Sequence, residues 1–261
     1  MIQYYSKFIF LLLCLFILSF SLLLIGPVDI QFRDIVELFS SPFYADTIEY
    51  SIIWELRIPK IITAILAGGS LAISGLLMQS YFQNPLAGPF VLGVHSGASL
   101  SVAIWLMGVN YFSIFQNELL RNLGSTSMAI IGSTLTLLIL VTIGAKFRNK
   151  LFLIVFGLIL GHLVSGIIQI LIVWSNLEGM KTFFLWSLGS FQRVSGMKLV
   201  IMSIVSGVAI IASFFLSKPL NLILLGDNYA KSSGLSLRKF QFLIILLTGV
   251  LAGTVTSFCG P

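Results

Sequence analysis

The chain has 261 residues, of which 57% are hydrophobic and only 9% charged, with a formal net charge of +6. An ordinary soluble domain carries roughly a quarter charged residues, so this composition, with a mean hydropathy of +1.05, excludes a water-soluble globule and makes lipid the main solvent. The length suits one polytopic domain over 1–261.

A spanning helix needs about 20 mainly apolar residues to cross a hydrocarbon core of roughly 30 Å. No Asp, Glu, Lys or Arg lies between Lys60 and Glu118, between Arg121 and Lys146, between Lys150 and Glu178, between Lys198 and Lys218, or after Lys239. Each gap holds a span, and the first is long enough for two. In chain order the predicted helices are 8–26, 61–80, 91–109, 126–145, 151–174, 197–217 and 240–258, an all-α transmembrane bundle. The first, with Lys7 ahead of Phe8 to Gly26, has a longer apolar run than a signal peptide and no A-x-A-like site within Pro27 to Gln31, so it is read as an uncleaved span. Small residues recur at helical spacing at Ala64, Gly68, Ala72 and Gly75, at Gly157, Gly161 and Ser165, and at Gly249, Gly253 and Ser257. Such rows let helix backbones approach closely where no hydrophobic effect drives association. Cys14 and Cys259 sit in apolar runs without metal-ligand or CxxC spacing and are expected to pack as small hydrophobes.

Seven spans put the termini on opposite sides. With the amino terminus inside, Lys7, Lys146, Arg148, Lys150, Lys218, Lys231, Arg238 and Lys239 are inner, with Asp227 as the single inner acid. Arg33, Arg57, Lys60, Arg121, Lys181, Arg193, Lys198 and the remaining acids fall outside. The raw counts of Lys and Arg are close, and the dense cluster Lys146 to Lys150 sets the orientation.

Four stretches are more specific than membrane sequence in general. They are Arg57-Ile-Pro-Lys60; Asn84-Pro-Leu-Ala-Gly-Pro89 followed by Leu92-Gly-Val-His-Ser-Gly-Ala98; Trp186-Ser-Leu-Gly-Ser190; and Leu225-Gly-Asp-Asn-Tyr-Ala-Lys-Ser-Ser-Gly-Leu235. Pro85 and Pro89 lack an N–H and mark a tight turn between the second and third spans. This turn, Asn84, Pro85, Leu86 and Ala87, is read as structural, and Gly93 and Gly97 as points of close backbone approach. In the last stretch Asp227 is a good N-cap, Lys231 lies near the negative end of a short helix over Asn228 to Ser233, and Gly234 ends it. Two turns are not stable alone in water. From the residues alone the segment 218–239 is either a linker resting on lipid headgroups, helped by Lys218, Arg238 and Lys239, or a docking element.

The order and spacing of these motifs resemble the FecCD family, the permeases of ABC importers for iron siderophores, haem and vitamin B12, along almost the whole chain. Gln83 stands where the family pattern has Arg, Gly88 where it commonly has Asp, His95 where it has a small residue, and Ser233 where it has Leu. The resemblance implies that Leu225, Gly226, Asp227, Tyr229, Ala230, Gly234 and Leu235 form a coupling helix that docks on an ATPase subunit. It also implies a second permease copy or homologue, and an extracytoplasmic substrate-binding protein that exposed cations such as Arg57, Lys60 and Arg193 would meet; solvated loop charge is the alternative for each of them. The membrane would be the bacterial cytoplasmic one, crossed several times with the amino terminus inside. The family pattern continues beyond Gly260-Pro261 as G-P-I-x-F-V-G-L with about three further helices of a usual ten, so the chain is expected to be truncated at its carboxyl end.

None of the predicted spans contains Asp, Glu, Lys or Arg, whereas a proton- or sodium-coupled transporter normally buries an ionisable group. Only His95 and His162 titrate in or near the membrane, and each is read first as a packing residue. There is no HExxH, no G-x-S-x-G and no Walker A sequence, so no catalysis, cofactor, metal or nucleic-acid partner is expected and ATP hydrolysis must come from another subunit. The expected function is the permease subunit of an ATP-driven importer of iron chelates, a ferric siderophore foremost. The rivals are a secondary transporter or channel, and a scaffold subunit of a membrane complex.

Overall fold

Long apolar runs leave the backbone no water to bond, so each run closes its own N–H and C=O groups as a helix. The structure, a computed structural model, describes residues 2–26, 28, 30, 48–108, 118–147 and 150–261. Arg33 and Arg148, counted above among the loop cations, lie outside them. Among the described residues six helices are long and apolar enough to cross a membrane, and Val94–Met107 is a shorter apolar one. Each of the seven predicted spans holds one of these helices, the third, at 91–109, holding only the short one.

The chain divides into two compact units. The first comprises Met1–Ile65 and Phe191–Leu199. It holds α1 (Ile2–Leu24), a helical turn Ile48–Ser51, a π-helical segment Ile52–Arg57 and the start of α2 (Ile58–Phe82). Ile30 and Ile53 are its buried apolar centre, with Leu23, Leu24, Tyr50, Ile52 and Ile58 packed around them. The second unit, Leu66–Ser190 and Val200–Pro261, holds the rest of α2, α3 (Val94–Gly108), α4 (Glu118–Lys146), α5 (Lys150–Trp174) and α6 (Leu177–Ser187). After these come most of α7 (Gly196–Phe214), then α8 (Ser217–Leu224), α9 (Asp227–Ser232) and α10 (Leu237–Cys259).

Within the second unit α3 packs against α4, α5, α6 and α10, and α10 lies along α4. Glycine makes these approaches possible. A Cβ on Gly97 would stand 2.7 Å from the Gly132 carbonyl oxygen, and one on Gly249 only 3.0 Å from a methyl of Leu137. A Cβ on Gly253 would stand 3.3 Å from Ser133 Cβ, a tight fit, and one on Gly161 3.4 Å from Ser96 Oγ. The rows on α5 and α10 thus act as expected. The row on α2 does not: no heavy atom lies within 4 Å of where a Cβ on Gly68 or Gly75 would be.

Among the described residues the helical segment Ile48–Arg57 precedes the expected start of the second span, and two further unexpected helices follow the fifth span. The segment 175–196, read as a loop, contains α6. Asn176 caps it, its Oδ1 accepting the Gly179 N–H at 2.9 Å, and Glu178 sits at the favourable end of the dipole. Phe183 and Trp186 bury one face of α6 against Ala98, Val102, Ala103, Leu106, Met107 and Ala129. The motif Trp186 to Ser190 then closes on the end of α10. The Ser190 N–H donates to the Cys259 carbonyl at 2.7 Å, and a Cβ on Gly260 would stand 2.8 Å from the Trp186 carbonyl oxygen. The second addition is α8, inside the stretch read as an inner loop.

Candidate functional site

The end of the second unit where α2, α7 and α10 meet carries the residues that the motifs single out. Tyr81 and Phe82 from α2, Leu216 and Leu220 and Ile223 around α8, Ala230 from α9 and Phe240 from α10 are all buried in one apolar cluster. The rings of Tyr81 and Phe240 lie 6.3 Å apart. This cluster is the seat on which α8 and α9 rest. α8 buries Leu220 and Ile223, three residues apart on one face, and leaves Leu224 exposed.

α9 is too short to stand by propensity, so its ends are fixed by local hydrogen bonds. Gly226 occupies the N-cap at φ +112°, a region that favours glycine. Asp227, expected to be the N-cap, is the first helical residue. The helix therefore runs one residue earlier than the expected Asn228 to Ser233, because the positive φ that breaks α8 from α9 can be met only at Gly226. At the other end the Gly234 N–H donates to the Lys231 carbonyl at 2.9 Å and the Leu235 N–H to the Ala230 carbonyl at 3.0 Å. With Gly234 at φ +85° this is a Schellman ending, in which Leu235 and Ala230 make the accompanying apolar contact. Ala230 is 0% exposed, while Leu225 is 67% and Tyr229 53% exposed. The seven residues expected to act together thus divide by role. Gly226, Ala230, Gly234 and Leu235 hold the element, whereas Leu225 and Tyr229 face outward with Asp227 beside them.

The turn after α2 completes the same face. The Leu86 N–H donates to Asn84 Oδ1 at 2.9 Å, and the Ala87 N–H to the Asn84 carbonyl at 3.0 Å, an Asx-type turn that Pro85 presets. Ala87 is buried and Leu86 is 84% exposed. Gln83, which stands where the family pattern has Arg, has a place of its own in this turn. Its backbone is left-handed at φ +51°, and its Nε2 donates to the Ile223 carbonyl at 2.8 Å, tying this turn to the last turn of α8. Gln83→Ala is expected to lower stability by about 0.5–1.5 kcal/mol. Gln83→Gly should lose less, because glycine relieves the left-handed backbone; thermal unfolding in detergent measures both.

Behind α9 lies a cavity of about 360 Å³ lined by Tyr81, Asp227, Lys231, Leu235, Ser236, Leu237, Arg238 and Gln241. Gln241 also reaches across to α4, its Nε2 donating to the Gly144 carbonyl at 3.0 Å. Among the described residues no group of three His, Cys, Asp or Glu side chains is placed to hold a metal. His95, half-buried, sets its ring edge-on to Phe90 at 5.0 Å, and His162 is exposed.

The expected docking cations lie in the first unit. Lys60 and Arg193 are exposed. Arg57 is not: it is 7% exposed, and its guanidinium donates to the carbonyls of Leu23, Leu24 and Val28. The expectation of an exposed Arg57 is corrected by these three carbonyls, two in the last turn of α1 and one in the segment after it.

The model of the FecCD transport family matches residues 11–261. The chain belongs to the FecCD transport family. It is 30% identical over 245 residues to the vitamin B12 import system permease of Vibrio cholerae, covering 92% of this FecCD chain and 72% of that protein. To the molybdate import system permease of Haemophilus influenzae it is 30% identical over 218 residues, 82% of this chain and 62% of that one. A solved ABC transporter assigned to the metal-chelate type, in an inward-facing conformation, superposes with a TM-score of 0.81 at 28% identity, over 98% of this chain and 77% of the other. This FecCD chain is thus a multi-pass permease component of the ABC importer type, a part of a transport system.

Proposed function

We propose that this FecCD chain forms part of the membrane pathway of an importer for metal chelates, a ferric siderophore first among them, worked by a separate ATPase on the cytoplasmic side. The observation that carries the reading is α8–α9. A short helix held at both ends by glycines, seated through Ala230 and presenting Leu225 and Tyr229 outward, is built to be pushed by something outside the chain. The predicted spans carry no Asp, Glu, Lys or Arg, which fits a conduit that draws its energy from elsewhere. Leu86 adds a second apolar contact for the same partner. Lys60 and Arg193, exposed in the first unit, are the cations we assign to a soluble binding protein, and a second permease copy or homologue would supply the other half of the pathway. The metal-chelate assignment of the solved relative favours this cargo, while the named relatives range from vitamin B12 to molybdate.

The test is uptake into liposomes by the chain assembled with its permease partner, ATPase and binding protein, with a ferric chelate, vitamin B12 and molybdate as competing cargoes. Uptake of the ferric chelate that requires ATP is the expected result. Equal uptake by the chain without ATP or an ATPase would make it a secondary transporter or channel, and preference for molybdate would overturn the cargo.

A further inference from the structure

We propose that Arg57 is a latch that fixes the end of α1 to the π-helical segment before α2, with Gly26 as the opening through which its guanidinium passes. A helix leaves its last four carbonyls without internal partners. In lipid, or against it, no water is at hand to bond them. α1 has no fully buried residue between Tyr5 and Leu24, so packing along its length does not hold it. Its end is different. The Ser21 carbonyl accepts the Ile25 N–H at 2.8 Å, and the last two carbonyls of α1, Leu23 and Leu24, both accept from Arg57 Nη1, the second at 3.1 Å. Nη2 goes to Val28. The planar fork of an arginine serves three acceptors where a lysine ammonium has no such geometry, and a positive charge at this end complements the helix dipole.

Two further observations fit this arrangement. A Cβ on Gly26 would stand 2.7 Å from Arg57 Nη2 and 3.1 Å from Cζ, so any larger residue displaces the guanidinium. Arg57 also ends the π-helical segment, where the Ile58 N–H bonds the Ile53 carbonyl, five residues back. Ile53 and Arg57, four residues apart, are both buried while Trp54, Glu55 and Leu56 between them are exposed. The apolar centre and the polar latch therefore share one face, and Lys60, three residues on, stays outside it.

The experiment is hydrogen exchange on the full chain in lipid nanodiscs, comparing Arg57→Ala, Arg57→Lys, Gly26→Ala and Lys60→Ala. Arg57→Ala and Gly26→Ala should both speed exchange in peptides covering 21–30 and 52–58 by roughly tenfold or more, the scale set by losing hydrogen bonds to a charged group. Arg57→Lys should fall between, and Lys60→Ala should leave these peptides unchanged. If Arg57→Ala does not fold, Gly26→Ala and Arg57→Lys carry the same comparison. Unchanged exchange in Gly26→Ala and in the Arg57 variants overturns the latch, as does a result in which Arg57→Ala weakens binding of a soluble partner and disturbs neither peptide.

Discussion

Gly132→Leu is expected to leave little correctly folded protein, with a stability loss of at least about 2 kcal/mol in whatever survives. A Cβ at Gly132 would lie 2.8 Å from the Gly97 carbonyl carbon, and one at Gly97 2.9 Å from the Thr136 Cβ. These obstacles are backbone or the first atom of a branched side chain and cannot swing aside. α3 and α4 must then separate, and α3 is the element that α5, α6 and α10 also pack against, so the loss spreads to four contacts. Gly68→Ala on α2 is the control, since a Cβ there meets nothing within 4 Å and alanine has the better helix propensity. Thermal unfolding and size-exclusion recovery in detergent separate the two, and equal recovery of Gly132→Leu and wild type would contradict the packing argument.

The second large effect is on coupling rather than folding. In the assembled importer Leu225→Asp and Tyr229→Ala are expected to cut ATP-driven uptake by roughly tenfold or more, as truncation of an interface anchor does, with thermal stability of the chain almost unchanged. Both side chains are exposed, so their loss leaves no cavity inside. Ala230→Leu should act through the opposite route. It places extra volume in the seat beneath α9, lowers stability by about 1–3 kcal/mol and disturbs uptake by displacing the helix. ATPase activity measured beside uptake decides the matter: hydrolysis that continues while transport falls marks lost coupling, and undiminished uptake by Tyr229→Ala would remove Tyr229 from the contact.

Much of this site was legible because its signals are local. Gly226 and Gly234 bracket a six-residue helix within one stretch of sequence, and positive φ at both follows from what lies beside them. The N-cap is Gly226 and not the adjacent Asp227 because backbone conformation, more than side-chain capping, decides the position. α8 was hidden because Ser217 was counted into the preceding span. Leu220 and Ile223 at helical spacing, with Pro219 in the first turn, were the available signal. α6 was likewise signalled by Asn176 ahead of Phe183 and Trp186, but an 11-residue helix falls below the length that a search for spans looks for.

Arg57 and Gln83 could not have been placed from sequence by any comparable signal. The partners of Arg57 lie 33 and 34 residues away for Leu24 and Leu23, and that of Gln83 140 residues away; an arginine that caps a helix and one that greets a soluble partner look alike in the chain. By itself the sequence determined the solvent, the spans and the family, because hydrophobic length and glycine and proline spacing act within a few turns of helix. Only the tertiary structure decided which cations are exposed, which glycine rows meet a neighbour and which polar side chains hold distant carbonyls, because in a bundle each of those depends on what another helix brings to the same place.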